Sequence, residues 1–258
     1  MFVVEGIRHV GEAVDAANAP PNSRERLFPR PVIEYLCYAP DLLTSEFAIQ
    51  LIQEQSTSGV PCYPMTSDVF ESIADKENPQ GILAVVRQRQ PKLAQFSSHA
   101  FPWWVALVDP QDPGNLGTIL RSVDAVGADG LLLLEGTVDP YHPNAVRASM
   151  GTLFWYPVVE ATFEEFAKWA RQNAYHIYGT SAHGSIDYRQ VQSYASPRIL
   201  LMGSEREGLN AAQAGACEVL ISLPMRGHAT SLNLAVATGV MLYEMLARDG
   251  SSAGSEEK

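Results

Sequence analysis

Two rhythms of apolar residues divide the chain. Over residues 1–87, short apolar runs alternate with stretches of helical spacing. In VVEGIRHVGEAVDAA, Ile7, Val10, Ala13 and Val14 recur three and four apart, which predicts an amphipathic helix. A Pro-rich stretch, PPNSRERLFPRP, precedes the strand-like VIEYLCYAP. DLLTSEFAIQLIQEQ repeats apolar residues at helical intervals and predicts a helix ended by Gly59. VPCYPM reads as a short strand, DVFESIAD as a short helix and GILAVVR as a further strand. This alternation predicts a small α/β domain.

Residues 88–101, QRQPKLAQFSSHAF, are polar without a period and read as a linker. Beyond them the apolar runs become continuous: WWVALVD, GADGLLLLEG, FWYPVVE, YHIYGTS, RILLMGS and EVLISLP, with a helix expected near 162–173. Runs of this kind predict parallel strands covered on both faces. A last helix is expected from Ser231 to about Arg248, stopped by Gly250. The expected division is therefore a domain over 1–87, a linker over 88–101, a second domain over 102–249 and a disordered tail over 250–258.

Composition narrows the class. With 258 residues, 46% of them hydrophobic, the chain can bury a sizeable core, and a disordered or collagen-like chain is excluded. No apolar stretch approaches the roughly 18–20 residues of a bilayer span, and the N-terminus lacks a basic leader and cleavage site. Cys37, Cys62 and Cys217 lie far apart, which argues against a disulfide scaffold or a zinc site. A cytoplasmic protein without metal is expected. Lys and Arg number 18 against 29 Asp and Glu, a net charge of −11. If such a chain binds RNA, it does so through a local basic patch.

Three segments carry candidate chemistry. DPGNLGTILRS (112–122) follows a strand, and Gly114 and Gly117 read as a tight turn exposing backbone N–H groups at a helix start. Arg121 projects from the far side of the stripe formed by Ile119, Leu120, Val123 and Val126. A guanidinium there suits a phosphate or a developing oxyanion; an ordinary solvated arginine fits the same spacing. LLMGSEREGL (200–209) delivers Gly203 and Glu205 to the carboxyl end of a strand, where open α/β sheets place ligands, although a plain polar turn has the same look. In ISLPMRGHATSLNLAVATGVMLYE (221–244), a glycine-bearing loop leads to Ser231 at a helix start, where it reads equally as a simple N-cap.

Together these segments resemble the SPOUT superfamily of RNA methyltransferases, in particular its SpoU/TrmH-type ribose 2′-O-methyltransferases. The N-G-x-x-R pattern stands at Asn115, Gly117 and Arg121; G-x-E-x-x-G-L at Gly203, Glu205, Gly208 and Leu209; P-M-x-G-x-x-x-S-L-N at Pro224, Met225, Gly227, Ser231, Leu232 and Asn233. The likeness covers about 103–248. FVVEG and ENPQGILAVVR, near either end of the first part, are similar to the small ribosomal-protein-like RNA-binding domain that such enzymes often carry.

The resemblance implies a parallel-sheet catalytic domain with a deep trefoil knot, a homodimer, and S-adenosylmethionine held between three loops. Those loops correspond here to Thr180, Gly203 and Ser204, and the stretch with Leu223, Met225, Gly227 and Leu232. Many relatives carry Asn where this chain has Ser204. The implied reaction is methyl transfer to a ribose 2′-hydroxyl, with rRNA favoured over tRNA; a non-catalytic RNA-binding scaffold is the alternative. Arg121 is implied to hold the phosphate and stabilise the alkoxide, with Asn115, Glu205, Ser231 and Asn233 as polar positioners. Arg24, Arg26, Arg30, Arg87 and Arg89 are the local basic candidates for RNA. Trp103 and Trp104 could stack on bases but start a buried strand, and His142 and His228 flank the motifs as candidate proton carriers.

Overall fold

The computed structural model describes residues 1–20, 28–75, 77–135, 138–182 and 184–252. Arg24, Arg26 and residues 253–258 of the expected tail lie outside them. The first part holds a four-stranded sheet of order β1-β4-β2-β3: β1 (Phe2–Glu5), β2 (Ile33–Tyr38), β3 (Cys62–Pro64) and β4 (Ile82–Val86). β4 runs antiparallel to β1 and β2, and β3 runs parallel to β2. Helices α1 (Ile7–Asn18), α2 (Glu46–Thr57) and α3 (Ser67–Ile73) connect the strands. On α1, Val10, Ala13 and Val14 are buried, as their spacing requires. α2 starts at Glu46 because the Ser45 hydroxyl accepts from the Ala48 N–H and caps it.

The second part is a seven-stranded sheet in which every pair is parallel, of order β7-β6-β5-β10-β8-β11-β9. Its elements are β5 (Trp103–Val108), α4 (Pro113–Val126), β6 (Gly130–Leu134), α5 (Pro143–Ser149), α6 (Thr152–Trp155), β7 (Val158–Ala161), α7 (Phe163–Gln172), β8 (His176–Thr180), β9 (Ile186–Asp187), β10 (Arg198–Met202), α8 (Ala211–Gly215), β11 (Val219–Ser222) and α9 (Leu234–Ser252). The continuous apolar runs have a direct cause. Along β5, Trp103, Val105 and Leu107 enter one core and Trp104, Ala106 and Val108 the other. Both tryptophans are thus packing residues.

Several expectations change. FWYPVVE is not one strand: Thr152–Trp155 form a helical turn, and Pro157 forces Tyr156 into extended backbone before β7. The segment around Gly114 and Gly117 is not a turn, because both glycines lie inside α4. A Cβ on Gly117 would stand 2.4 Å from the Ala145 carbonyl oxygen, so this glycine lets α4 and α5 touch. The last helix begins at Leu234, outside Ser231, and passes through Gly250 to Ser252. Asn233 is its cap, with Oδ1 accepting from the N–H groups of Ala235 and Val236 at 2.9 and 3.3 Å.

The polar segment 88–101 is fastened at several points. Phe96 and Phe101 are buried against Trp104, and Trp169 Nε1 donates to the Phe96 carbonyl at 3.1 Å. The two parts share one core: Phe2 of β1 packs its ring 4.5 Å from that of Tyr141. No helix among the described residues is long and apolar enough to cross a membrane.

Candidate active site

Adjacent parallel strands in register end at the same level. Leu201 of β10 faces Gly179 of β8, and Ile221 of β11 faces Thr180. Thr180, Gly203 and Leu223 therefore leave the sheet side by side, and Thr180 Oγ1 donates to Met202 Sδ at 3.4 Å. The loop after β10 closes on itself: Ser204 N–H donates to the Gly208 carbonyl at 3.1 Å and Gly208 N–H to that of Ser204 at 3.0 Å. The Ser204 hydroxyl accepts from the Glu207 N–H at 3.1 Å, so it holds the turn that presents Glu205. Only glycine fits at 203, where a Cβ would lie 2.4 Å from the Gly208 carbonyl carbon.

The first turn of α4 faces this loop. Asp112 caps the helix, its carboxylate accepting from Gly114 N–H at 2.8 Å, so the anion seat expected there is filled by the chain's own side chain. Asn115, 8% exposed, donates from Nδ2 to Glu205 Oε1 at 2.6 Å and accepts at Oδ1 from Asn233 Nδ2 at 2.9 Å. One polar residue from each motif thus joins a single chain of hydrogen bonds running from Glu205 to the cap of α9. Its Glu205 end is a charge-assisted bond.

The other candidates stand apart. Arg121 is exposed and lines an interdomain cleft with Arg8, Glu12, Asp124, Met150, Thr152 and Trp155. It makes no bond to Asn115, Glu205 or Asn233. Ser231, Met225, Gly227 and His228 lie on the loop between β11 and α9, where Ser231 is exposed. His142 caps α5, its Nδ1 accepting from Asn144 N–H. Among the described residues no group of three or more His, Cys, Asp or Glu is placed to hold a metal.

Of the basic candidates, Arg87 pairs with Glu34 at 2.6 Å and Arg30 is half-buried at the seam between the two parts. Arg89 is a correction. Its guanidinium donates to the carbonyls of Pro29, Leu153, Phe154 and Tyr156, and lies over the Phe28 ring. It fastens the two parts instead of facing RNA, because a desolvated guanidinium must satisfy its donors internally. No local pattern marks this role, since its carbonyl partners belong to no residue type. Arg8, exposed on α1, lines the same cleft as Arg121, and nothing in the local sequence pattern marks it.

Residues 102–243 match the model of the SpoU rRNA Methylase family. The chain belongs to that family. Residues 1–84 match the MRM3-like substrate binding domain. A 23S rRNA (guanosine(2553)-2′-O)-methyltransferase of Bacillus subtilis is 32% identical over 73% of this chain and 73% of its own. A 23S rRNA (uridine(2479)-2′-O)-methyltransferase of Streptomyces viridochromogenes is 32% identical over 94% of this chain and 81% of its own. An AdoMet-bound rRNA methyltransferase of Sinorhizobium meliloti superposes with a TM-score of 0.80 at 34% identity, covering 95% of this chain and 86% of that one.

The SpoU-type loops of this chain fit S-adenosylmethionine, the cofactor bound in the Sinorhizobium meliloti structure. Among the described residues, no backbone N–H or C=O of 224–231 bonds to another backbone group, so the loop beside Thr180 and Gly203 has donors and acceptors free for a ligand. Leu232, 40% exposed, adds an apolar contact for an adenine or thioether.

Proposed function

We propose that this protein transfers the methyl group of S-adenosylmethionine to a ribose 2′-hydroxyl of ribosomal RNA. The observation that carries the reading is the Glu205–Asn115–Asn233 network, which ties the family's three motifs together beside the loops ending β8, β10 and β11. The choice of rRNA is supported by the two 23S rRNA methyltransferases that are 32% identical to this chain over most of its length. Working on rRNA, it acts in the cytoplasm.

When bound, S-adenosylmethionine supplies an already activated sulfonium methyl. The chain's own residues then align an in-line attack and ease the loss of a hydroxyl proton. Thr180, Gly203, Leu223, Met225, Gly227 and Leu232 hold the cofactor through backbone groups and apolar contact. Asn115 and Asn233, locked by each other and by Glu205, keep the loops in one arrangement, with Ser231 offering its hydroxyl to the substrate. Arg121 holds a phosphate and stabilises the developing alkoxide; a guanidinium is too basic to be an easy proton acceptor.

In this reading residues 1–87 grip RNA and 102–249 carry out the transfer. The protein works as a homodimer, which supplies each site with the arginine that a single chain leaves apart from it. Support comes from α9, where Val236, Val240, Tyr243 and Leu246 are exposed large apolar residues on a helix packed beside α4. The trefoil knot belongs to the same proposal, supported by β10 lying between β5 and β8 and by α9 returning against α4.

The test is methyl transfer from tritiated S-adenosylmethionine to transcribed 23S rRNA, with tRNA in parallel and calorimetry on wild type and Leu232→Arg. An alkali-resistant dinucleotide carrying the label, with cofactor binding lost in the folded variant, is expected. Label on a base overturns the ribose assignment. Cofactor binding with no transfer to either RNA overturns the enzyme reading and leaves the scaffold.

A further inference from the structure

We propose that Arg8 is a phosphate-binding residue, closing with Arg121 on one RNA phosphodiester in the cleft between α1 and α4. The inference rests on the RNA methyltransferase reading and extends it to a residue outside every motif.

The cleft is a built feature. Gly151, at φ +104°, lies so close to α1 that a Cβ on it would stand 2.6 Å from Glu12 Cγ. Any other residue there would push the helix away. α1 is therefore seated against α6, and Arg8 shares one cleft with Arg121 although 113 positions separate them in sequence.

The cleft holds two arginines and two carboxylates that do not pair with each other. Its two carboxylates each accept a bond from an aromatic donor: Glu12 Oε2 from Trp155 Nε1 at 3.2 Å, and Asp124 Oδ1 from the Tyr156 hydroxyl at 2.8 Å. Neither guanidinium bonds to or ion-pairs with another described residue. Elsewhere Arg87, Arg147, Arg189, Arg198 and Arg248 have carboxylate partners, while the exposed Arg171, Arg206 and Arg226 have none among the described residues. In a chain of net charge −11, two arginines left together without partners, beside carboxylates held by aromatic donors, mark a local anion site. RNA presents phosphodiesters, and the planar fork of a guanidinium matches their oxygens. One arginine comes from the substrate-binding part and the other from the catalytic part, so the phosphate they share would fix the RNA register relative to the methyl acceptor.

The experiment is filter binding of transcribed 23S rRNA, and of tRNA, across a salt series. It compares wild type, Arg8→Gln, Arg8→Lys, Arg121→Gln, the double Gln variant and the exposed control Arg171→Gln, with cofactor affinity by calorimetry. Arg8→Gln is expected to weaken RNA binding about tenfold and flatten the logarithmic salt slope by about one. Cofactor affinity stays at the wild-type level. Arg8→Lys restores the slope but only part of the affinity. The double variant loses less than the product of the single losses, since both arginines act on one phosphate. Arg8→Gln behaving like Arg171→Gln, strictly multiplicative losses, or a wild type that retains neither RNA would each overturn the proposal. Retention of RNA without methyl transfer sinks the enzymatic reading alone, because the binding data still decide Arg8.

Discussion

Asn115 Nδ2 stands 2.6 Å from Glu205 Oε1, joining the first turn of α4 to the loop after β10 across 90 positions of sequence. Because the same amide accepts from Asn233, its orientation is determined from both ends. Neither an aspartate nor an alanine can replace it: the first sets two carboxylates against each other, the second takes the donor from Glu205 Oε1 and the acceptor from Asn233 Nδ2.

Asn115→Asp is expected to lower kcat about 100-fold and Asn115→Ala about 10-fold, the range for losing a charge-assisted bond in a positioned network. Single-turnover transfer to 23S rRNA measures both. Equal, near-wild-type rates would remove Asn115 from the positioning role.

Arg89→Met is expected to destabilise the protein by about 3 kcal/mol, since it strips the partner from four carbonyls at the seam. Tyr141 contributes to the same fastening, its hydroxyl accepting from Arg89 N–H and donating to the Arg89 carbonyl. Arg89→Lys should cost less, about 1–2 kcal/mol, because a point charge reaches fewer acceptors. Urea midpoints followed by tryptophan fluorescence report both, and an unchanged midpoint in Arg89→Met would show that the seam holds without it.

Val240→Asp with Tyr243→Asp is expected to give single chains in sedimentation equilibrium, whereas wild type sediments at twice the chain mass. Both side chains are exposed in the single chain, so the far-UV spectrum should not change. A wild type that stays single at tens of micromolar would refute the homodimer.

Burial pushes the Cys217 thiol up to about 11 from its ordinary 9.0. The unfolded chain releases this proton near 9 and the folded chain only near 11. The contribution is thus fully present below pH 9 and is lost as pH rises to 11. Cys217→Ala should therefore lose stability less steeply than wild type between pH 9 and 11 in urea titrations. Parallel slopes would show that the thiol is solvated. The folded protein's Cys217 should also resist iodoacetamide at pH 8, where the thiolate is scarce.

The sequence by itself determined the strands and the motifs. Continuous runs such as WWVALVD and GLLLL can only be buried on both faces, which requires a covered parallel sheet, and every such run except the first half of FWYPVVE became a strand. The motifs named the family because residue identity at fixed spacing survives without coordinates. Tertiary structure alone decided which polar residues meet. Asn115, Glu205 and Asn233 converge because strands distant in sequence are neighbours in the sheet, an order that no local period encodes. It also decided that Arg89 is structural while Arg8 and Arg121 share a cleft. An arginine looks the same in any sequence, and its role depends on whether carbonyls, carboxylates or solvent surround it once the two parts have packed.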